Sequence, residues 1–489
     1  MIDGKIRNST FVSYLNLDRV QIKNNTFVLY ISVILLVIFR LILTATIPLL
    51  DKTEARYAEI SRIMWETKQW IVPQIDYHVP FMAKPPLSTW LSAGSFAVFG
   101  VNEFASRFPS FILNILILII AGKIVKKQGM SFYLPGFILL TMPEFLIHTG
   151  VVSTDTVFAF CTSVAMIAFW KTVNDERKTY WNYLFFIALG FGMLAKGPLV
   201  FILTFPPIIG WCILEKERFK ELLLKLPWVT GIIIMAVIAV PWYYLAEQQS
   251  PGFLKYFIVG EHFKRFFVPG WKGDLYGFPK SQPIGMVWLF MLAFSFPWIQ
   301  IVLYKLWKNR KTILRDRWVS FLVVWLFWTP VFFTFSRNTI HTYTLPMALP
   351  IMFLMVYYWE DFSSKKAMIR VAMLFPVLVF IGYSAYSVTG KADFYLNSDK
   401  HILEDLKTKI EMKGIPIYYY KRKNYSGQFY LKGQAQVAKR DRDLDSILKL
   451  NKKIFFVIWK KSEQDISKRH RDRFILLEKS YKTSIFVSK

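Results

Sequence analysis

Apolar runs alternate with short polar connections along most of the chain. A bilayer core takes about 20 residues of apolar helix. Runs of that order lie at 27–50, 104–122, 131–149, 155–170, 181–196, 198–214, 228–246, 284–304, 319–335, 343–359 and 370–388. They predict about 11 to 13 transmembrane helices, the larger number if a long run hides an extra pair. Two connections, 51–103 and 247–283, are too long to be plain links. In the first, Ala55, Ala58, Ile60, Ile63 and Met64 recur at helical spacing, so Thr53–Trp65 predicts a helix lying in the interface plane, with Thr53 as its N-cap. Pro73, Pro80 and Pro85-Pro86 then enforce an extended stretch, and Leu87–Phe99 is again apolar and helical. From Lys391 onward the pattern changes. A helical segment, Ile402–Met412, precedes short β-type runs at Ile415–Tyr420, Gln428–Leu431, Lys453–Trp459 and Phe474–Glu478, which predict a small α/β domain. The fold class is an all-α polytopic membrane bundle over 1–390 with a C-terminal α/β domain over 391–489.

Charge gives the bundle a direction. Lys123–Lys127, Lys171 with Arg177-Lys178, Lys216–Lys225, Lys305–Arg317 and Lys365–Arg370 fall on alternate connections, so these face the cytoplasm. The connections 51–103, 150–155, 196–198, 247–283 and 336–342 then face out, and so does the C-terminal domain. Composition agrees: the 489 residues are 54% hydrophobic with mean hydropathy +0.34, too apolar for a soluble protein. The net charge of +28 reads as basic loops on anionic lipid rather than nucleic-acid binding. The two cysteines, Cys161 and Cys212, sit inside apolar runs and predict neither a disulfide nor a thiolate metal site. Met1–Asn25 lacks a short apolar core with a cleavage site, so the first apolar run is expected to be a retained helix.

The outer connections hold the candidate chemistry. Arg56 and Lys84 suit a phosphate, Arg by a bidentate fork and Lys as a point charge. Asp51, Glu54 and Glu59 are candidate carboxylates for general-base work or for stabilising a cationic sugar carbon. Asp155 in Val152-Ser153-Thr154-Asp155 is either a helix cap or an ionisable group facing a polar cavity. Lys196-Gly197-Pro198 reads most simply as a snorkelling Lys at a tight turn. The pair Glu261-His262 is a weak metal motif. Tyr343, beside Arg337 and His341, either donates to a phosphate or belongs to the interfacial aromatic belt. Arg40, within the first run, is expected to pair inside the bundle. No phosphate-binding glycine loop, zinc-protease motif or nucleophile elbow occurs.

Several motifs recur in fixed order: Thr53–Ile60, Trp70–Pro73, Lys84-Pro85-Pro86-Leu87, Phe99–Arg107, Ala195-Lys196-Gly197, Glu261–Phe266 and Thr342–Pro346. Together they resemble the bacterial aminoarabinose transferases of lipid A and the related protein mannosyltransferase-like enzymes, GT-C glycosyltransferases that take a sugar from a polyprenyl-phosphate carrier. The resemblance covers roughly residues 30–350. It implies that Arg56, Tyr57, Lys84 and Tyr343 bind the carrier phosphate. Asp155 and a first-loop acid, Asp51 or Glu54, would be the catalytic carboxylates, and Lys196, His262, Arg265 and Arg337 would line the cavity. It also implies a multi-pass protein of the bacterial inner membrane with its site, its interfacial helices and its C-terminal domain on the periplasmic side. The expected partners are a polyprenyl-phosphate-linked sugar, membrane lipids, and lipid A or another envelope lipid or glycan.

Three positions depart from the lipid A enzymes. Thr53 stands where they carry Asp, Ala83 where they carry Glu before Lys-Pro-Pro, and Thr339 where they carry Lys. Ala83 removes an expected metal ligand, so no metal or other cofactor is predicted. The alternatives are a protein O-glycosyltransferase of the same class and a lipid-linked sugar transporter or flippase; the latter needs broken polar helices in two corresponding halves, which the pattern lacks.

Overall fold

The computed structural model describes residues 19–174, 180–215, 219–277, 281–389, 396–409, 415–450, 453–480 and 482–489. Met1–Asp18, Arg177-Lys178, Lys216–Arg218 and the end of the helical pattern at Met412 lie outside the described residues.

Every apolar run is helical. The bundle starts with α1 (Arg19–Thr46), followed outside by α2 (Thr53–Thr67), the small hairpin β1 (Gln74–Asp76) and β2 (Val79–Pro80), and α3 (Leu87–Phe99). It continues with α4 (Glu103–Lys126), α5 (Leu134–Thr141), α6 (Pro143–His148), α7 (Thr154–Asn174), α8 (Trp181–Lys196), α9 (Leu199–Leu214), α10 (Phe219–Leu224) and α11 (Trp228–Gln249). A π-helix (Lys255–Lys264) leads into α12 (Arg265–Phe267); then come α13 (Met286–Phe294), α14 (Trp298–Lys308), α15 (Arg317–Thr334), a 3₁₀ segment (His341–Met347), α16 (Ala348–Tyr357) and α17 (Lys365–Thr389).

Among the described residues, six helices are long and apolar enough to span a membrane: α1 from Thr26, α4, α7, α11, α15 and α17. The pair α13 and α14, bent by 107°, makes a seventh. By that length criterion the structure holds fewer long unbroken helices than the 11 to 13 expected spans. The difference has a physical cause. Pro143, Pro297 and Pro346 interrupt their runs, because a proline lacks the N–H and clashes with the preceding turn. Helices α8 and α9 have only 16 residues each. Helix α7 is the buried centre and packs along α8, which in turn lies on α11. At the inner end Phe169, Trp170, Trp211, Trp318 and Phe321 form one aromatic cluster, with Trp170 and Trp318 4.5 Å apart. Helices α1, α11 and α17 turn apolar side chains such as Phe27, Ile233 and Leu378 outward, as lipid-facing helices do. Arg40 does pair inside the bundle, donating to the carbonyls of Thr149 (2.7 Å) and Ile147 (3.0 Å).

The outer helices differ from expectation. Thr53 is the first residue of α2 and makes no capping hydrogen bond. Ten of the residues of α2 are buried, so it does not lie half-immersed in an interface. It packs on α3 below and is roofed by the C-terminal domain above.

That domain contains α18 (Lys400–Lys409), β3 (Ile417–Tyr420), α19 (Tyr425–Tyr430), β4 (Gln436–Ala438), α20 (Asp441–Leu450), β5 (Phe455–Trp459), α21 (Lys468–Arg471), β6 (Phe474–Lys479) and β7 (Thr483–Ser488). The sheet order is β4-β3-β5-β7-β6; β4, β3 and β5 are parallel, and β7 runs antiparallel to β5 and β6. Alternate residues fill two cores: Ile417, Tyr419, Phe455 and Val457 on one face, Tyr420, Phe456 and Ile458 on the other. The run Gln428–Leu431 falls largely in helix α19 instead of forming a strand, because Phe429 is drawn into the apolar cluster of α2 and α3. The joint to the bundle is polar at its centre. Asp51 N–H donates to the Asn397 carbonyl (2.7 Å), the Asn397 amide donates back (2.6 Å), and Leu49 N–H donates to the Tyr430 hydroxyl (2.8 Å).

Candidate active site

The five connections assigned to the outer face close, with the C-terminal domain, on one cavity of about 1220 Å³. Asp51, Arg56, Tyr57 and Lys84 come from the first, Asp155 from the second, Lys196 from the α8–α9 turn, Glu261, His262 and Arg265 from the fourth, and Tyr343 from the fifth. No described residue of the basic connections at the opposite end lines it.

Asp155 lies in the first turn of α7. The Ser153 hydroxyl accepts from the Asp155 N–H at 3.0 Å and so satisfies that helix end, leaving the Asp155 carboxylate for the cavity. There it forms an ion pair with the Lys196 ammonium. Lys196 does not snorkel outward. It turns in, with its ammonium 5.1 Å from the Tyr343 ring centre and 5.5 Å from that of Phe158. Tyr343 is stacked on Phe333 at 4.5 Å. The chain reverses after Lys196 through Gly197, at φ +69°, where an added Cβ would stand 2.6 Å from the Phe257 ring. Only glycine meets both demands.

The π-helix sets the opposite wall. Its wider turn brings side chains over the residue five earlier. His262 Nδ1 sits 2.8 Å from the Phe257 carbonyl and Nε2 3.1 Å from the Lys196 carbonyl, so the ring lies between this wall and the α8–α9 turn, and a neutral imidazole donates its single N–H to one of the two. Burial holds the His262 pKa below its ordinary value. Next to it, Glu261 gathers the cations. One carboxylate oxygen accepts from Lys84 (2.8 Å) and Arg265 (2.7 Å), the other from the Tyr256 hydroxyl (3.2 Å). Burial opposes its ionisation, but Lys84 and Arg265 overcome that and bring its pKa down to about 2. Arg56 donates to the Tyr276 carbonyl (2.6 Å) and packs over the rings of Tyr57 and Phe81. Arg56 and Arg265 each retain a buried Nε–H without a protein acceptor, donor capacity that an anionic ligand would satisfy.

Other expected residues lie elsewhere. Glu54 is buried behind the wall, paired with Arg107 (2.7 Å) and accepting from the N–H groups of Leu50 and Val152. Burial opposes its charge, and Arg107 more than offsets this, so its pKa is lowered. Every oxygen of Glu54 is engaged, which leaves it no basic role. Glu59 is likewise held by Arg62 at 2.7 Å. Arg337 is not part of the cavity wall; its N–H bonds the Phe266 carbonyl and its own carbonyl accepts from Gln282 N–H. His341 points away, to Glu144 at 2.9 Å. Asp51 does reach the cavity, but its carboxylate is bonded to the Ser426 hydroxyl and N–H. Sequence reasoning undervalued Glu261 and passed over Asp274, whose carboxylate caps the turn to Tyr276 and Gly277 and lies 3.7 Å from Arg265. The signal was present for Glu261: a Glu four residues before an Arg in helical chain.

A sequence model for dolichyl-phosphate-mannose-protein mannosyltransferases matches residues 25–257. The solved structure of ArnT from Cupriavidus metallidurans bound to undecaprenyl phosphate superposes with a TM-score of 0.70, covering 94% of this chain and 97% of that one at 17% identity. Its apo form gives 0.72 at 18% identity. The chain has the fold of the ArnT structures. Curated relatives include an undecaprenyl phosphate-alpha-4-amino-4-deoxy-L-arabinose arabinosyl transferase of Pseudomonas fluorescens, 27% identical over 63% of this chain and 55% of its own length. A counterpart of Proteus mirabilis is 28% identical over 73% of this chain and 64% of its own. The match to these relatives thus spans less than two thirds of their length. In the ArnT-like fold the cavity lies where the outer loops meet the appended domain.

Proposed function

We propose that this chain is a membrane glycosyltransferase that moves a monosaccharide from a polyprenyl-phosphate carrier to lipid A or another envelope lipid or glycan. The reaction would run at the periplasmic face of the bacterial inner membrane. The observation that carries the reading is the meeting of the Asp155–Lys196 pair with Arg56, Lys84 and Arg265 in one cavity at the outer end of the bundle. The undecaprenyl phosphate of the superposed ArnT supports the carrier class, and the named activity of the curated relatives supports the transfer.

The chemistry follows from the geometry. The bond from the sugar's anomeric carbon to the phosphate oxygen breaks, and its electron pair stays on the phosphate. Arg56, Lys84 and Arg265 stabilise that growing charge. The acceptor oxygen forms the new bond to the anomeric carbon, and Asp155 receives its proton where it has one. Lys196 keeps Asp155 ionised and in place, and Tyr57 and Tyr343 flank the sugar-phosphate.

The test is mass spectrometry of envelope lipids and glycans from cells with and without the gene, joined to an assay with undecaprenyl-phosphate sugars in proteoliposomes. One sugar mass gained on lipid A or a glycan supports the reading; no gain and no consumption of carrier sugar defeats it. Asp155→Asn refines it: turnover should vanish with a hydroxyl acceptor and only weaken with a phosphate acceptor, which needs no base. The match over 25–257 also favours a second reading, transfer to a protein hydroxyl, which predicts the added mass on an envelope protein.

A further inference from the structure

Two of the cations proposed to hold the carrier phosphate stand on separate pieces of chain. Arg56 is on α2, and Lys84 follows the β1–β2 hairpin in an irregular stretch that runs into Pro85-Pro86. The Lys84 ammonium folds back onto the Ala83 carbonyl (2.8 Å), so its place follows the backbone at 82–83. One residue of the fourth outer connection reaches both pieces. The Tyr276 carbonyl accepts from Arg56 Nη1 at 2.6 Å. The Tyr276 hydroxyl donates to the Pro80 carbonyl (2.8 Å) and accepts from the Met82 N–H (3.1 Å). A phenol can do both at once, so one side chain clamps two peptide groups where β2 ends. These contacts join residues 194 to 220 positions apart in sequence. Tyr276 is itself held. Its ring meets that of Phe81 edge-on at 4.7 Å, and Phe81 meets Tyr57 at 5.8 Å. Its N–H donates to Asp274 at 3.0 Å. The adjoining Leu275 N–H donates at 3.1 Å to the Tyr256 hydroxyl, the same hydroxyl that bonds Glu261. Lys84 is thus fixed at its backbone through Tyr276 and at its ammonium by Glu261.

We propose that Tyr276 is a positioning residue of the carrier-phosphate site: its hydroxyl fixes the backbone at Pro80–Met82 and so sets where the Lys84 ammonium stands relative to Arg56. The inference rests on the transferase reading above. A cation held in place is preorganised for an anion; one left to wander is ordered only when the anion binds, at a cost to affinity. The two ends of Tyr276 act on different cations. The hydroxyl acts on Lys84 and belongs to the side chain. The carbonyl acts on Arg56 and belongs to the main chain, which a substitution leaves in place. Tyr276→Phe therefore releases Lys84 while its ring still packs on Phe81.

The experiment is a double-mutant cycle on the full chain in nanodiscs of phosphatidylethanolamine and phosphatidylglycerol, read as the affinity for undecaprenyl phosphate by calorimetry. Tyr276→Phe should weaken binding about tenfold, the loss expected when one hydroxyl leaves two peptide groups unpaired. In a Lys84→Gln background the same change should cost less than about twofold more, because the hydroxyl then has no cation to place. In an Arg56→Gln background it should again cost about tenfold, since that cation is held by the carbonyl. A hydroxyl with a merely structural role would weaken both backgrounds alike, and that result overturns the proposal. An unchanged affinity in Tyr276→Phe overturns it as well, and so does coupling to Arg56 in place of Lys84. A wild type that binds no undecaprenyl phosphate removes the transferase reading and this inference with it. Normal wild-type binding without the selective coupling removes the inference alone.

Discussion

The side chain of Glu261 is wholly buried, and its oxygens are shared among Lys84, Arg265 and Tyr256. It cannot act as a base at a pKa of about 2. It ties together two cations that lie 181 residues apart in sequence, by an ion pair to each. Glu261→Gln keeps the shape and removes the charge that both cations face. Breaking a buried pair in this way costs about 3 kcal/mol, so the melting temperature should fall. Carrier-phosphate affinity should fall by about tenfold or more, because the two cations proposed to hold the phosphate lose their anchor. An unchanged affinity in a binding assay would show that Lys84 and Arg265 find their places without it.

At the scale of elements, the turn between α8 and α9 fixes where Lys196 can stand. Gly197→Ala introduces both a left-handed backbone strain and a contact with Phe257. The expected cost is about 1–3 kcal/mol, seen as a lower melting temperature together with lost transfer; full activity in the Ala variant would remove the turn from the account. This turn also shows how far sequence reading reaches. Apolar periodicity located the long bundle helices, though not α10, the π-helix or α12, and the alternation of basic connections picked out the five loops that line the cavity, because both patterns are set by burial and lipid contact over many residues. Side-chain direction at a single position is decided by tertiary neighbours. Lys196 reads as snorkelling until Asp155 is seen beside it, Glu54 reads as catalytic until Arg107 is seen to consume it, and Gln428–Leu431 reads as a strand until Phe429 is seen buried against α2. Helix lengths differ from the runs for a related reason: prolines that look tolerable inside long runs in fact divide them.

At the scale of the molecule, the joint between bundle and domain contains a titrating group. Burial, with Asp399 nearby, raises the Asp51 pKa to about 7, although its bonds to Ser426 act the other way. The docked domain therefore binds a proton that the undocked one gives up near the ordinary carboxylate pKa of about 4. Stability of the joint is full below that value, declines as pH rises through about 4 to 7, and is level above. Hydrogen exchange across β3 and α19, followed from pH 5 to 8, should show protection falling in that window. Asp51→Asn should flatten the profile, and a wild-type profile that is already flat would exclude Asp51 as its source.

The cavity volume sets a last expectation. At roughly 30 Å³ per molecule, about 1220 Å³ holds on the order of forty waters. A donor sugar alone displaces only a fraction of them, and any water beside Asp155 competes with the acceptor for the anomeric carbon. Slow release of free sugar should therefore accompany the donor when no acceptor is present, and saturating acceptor should suppress it. The roof formed by the C-terminal domain would then govern the fidelity of the reaction as well as its rate, by filling the room in which hydrolysis could occur.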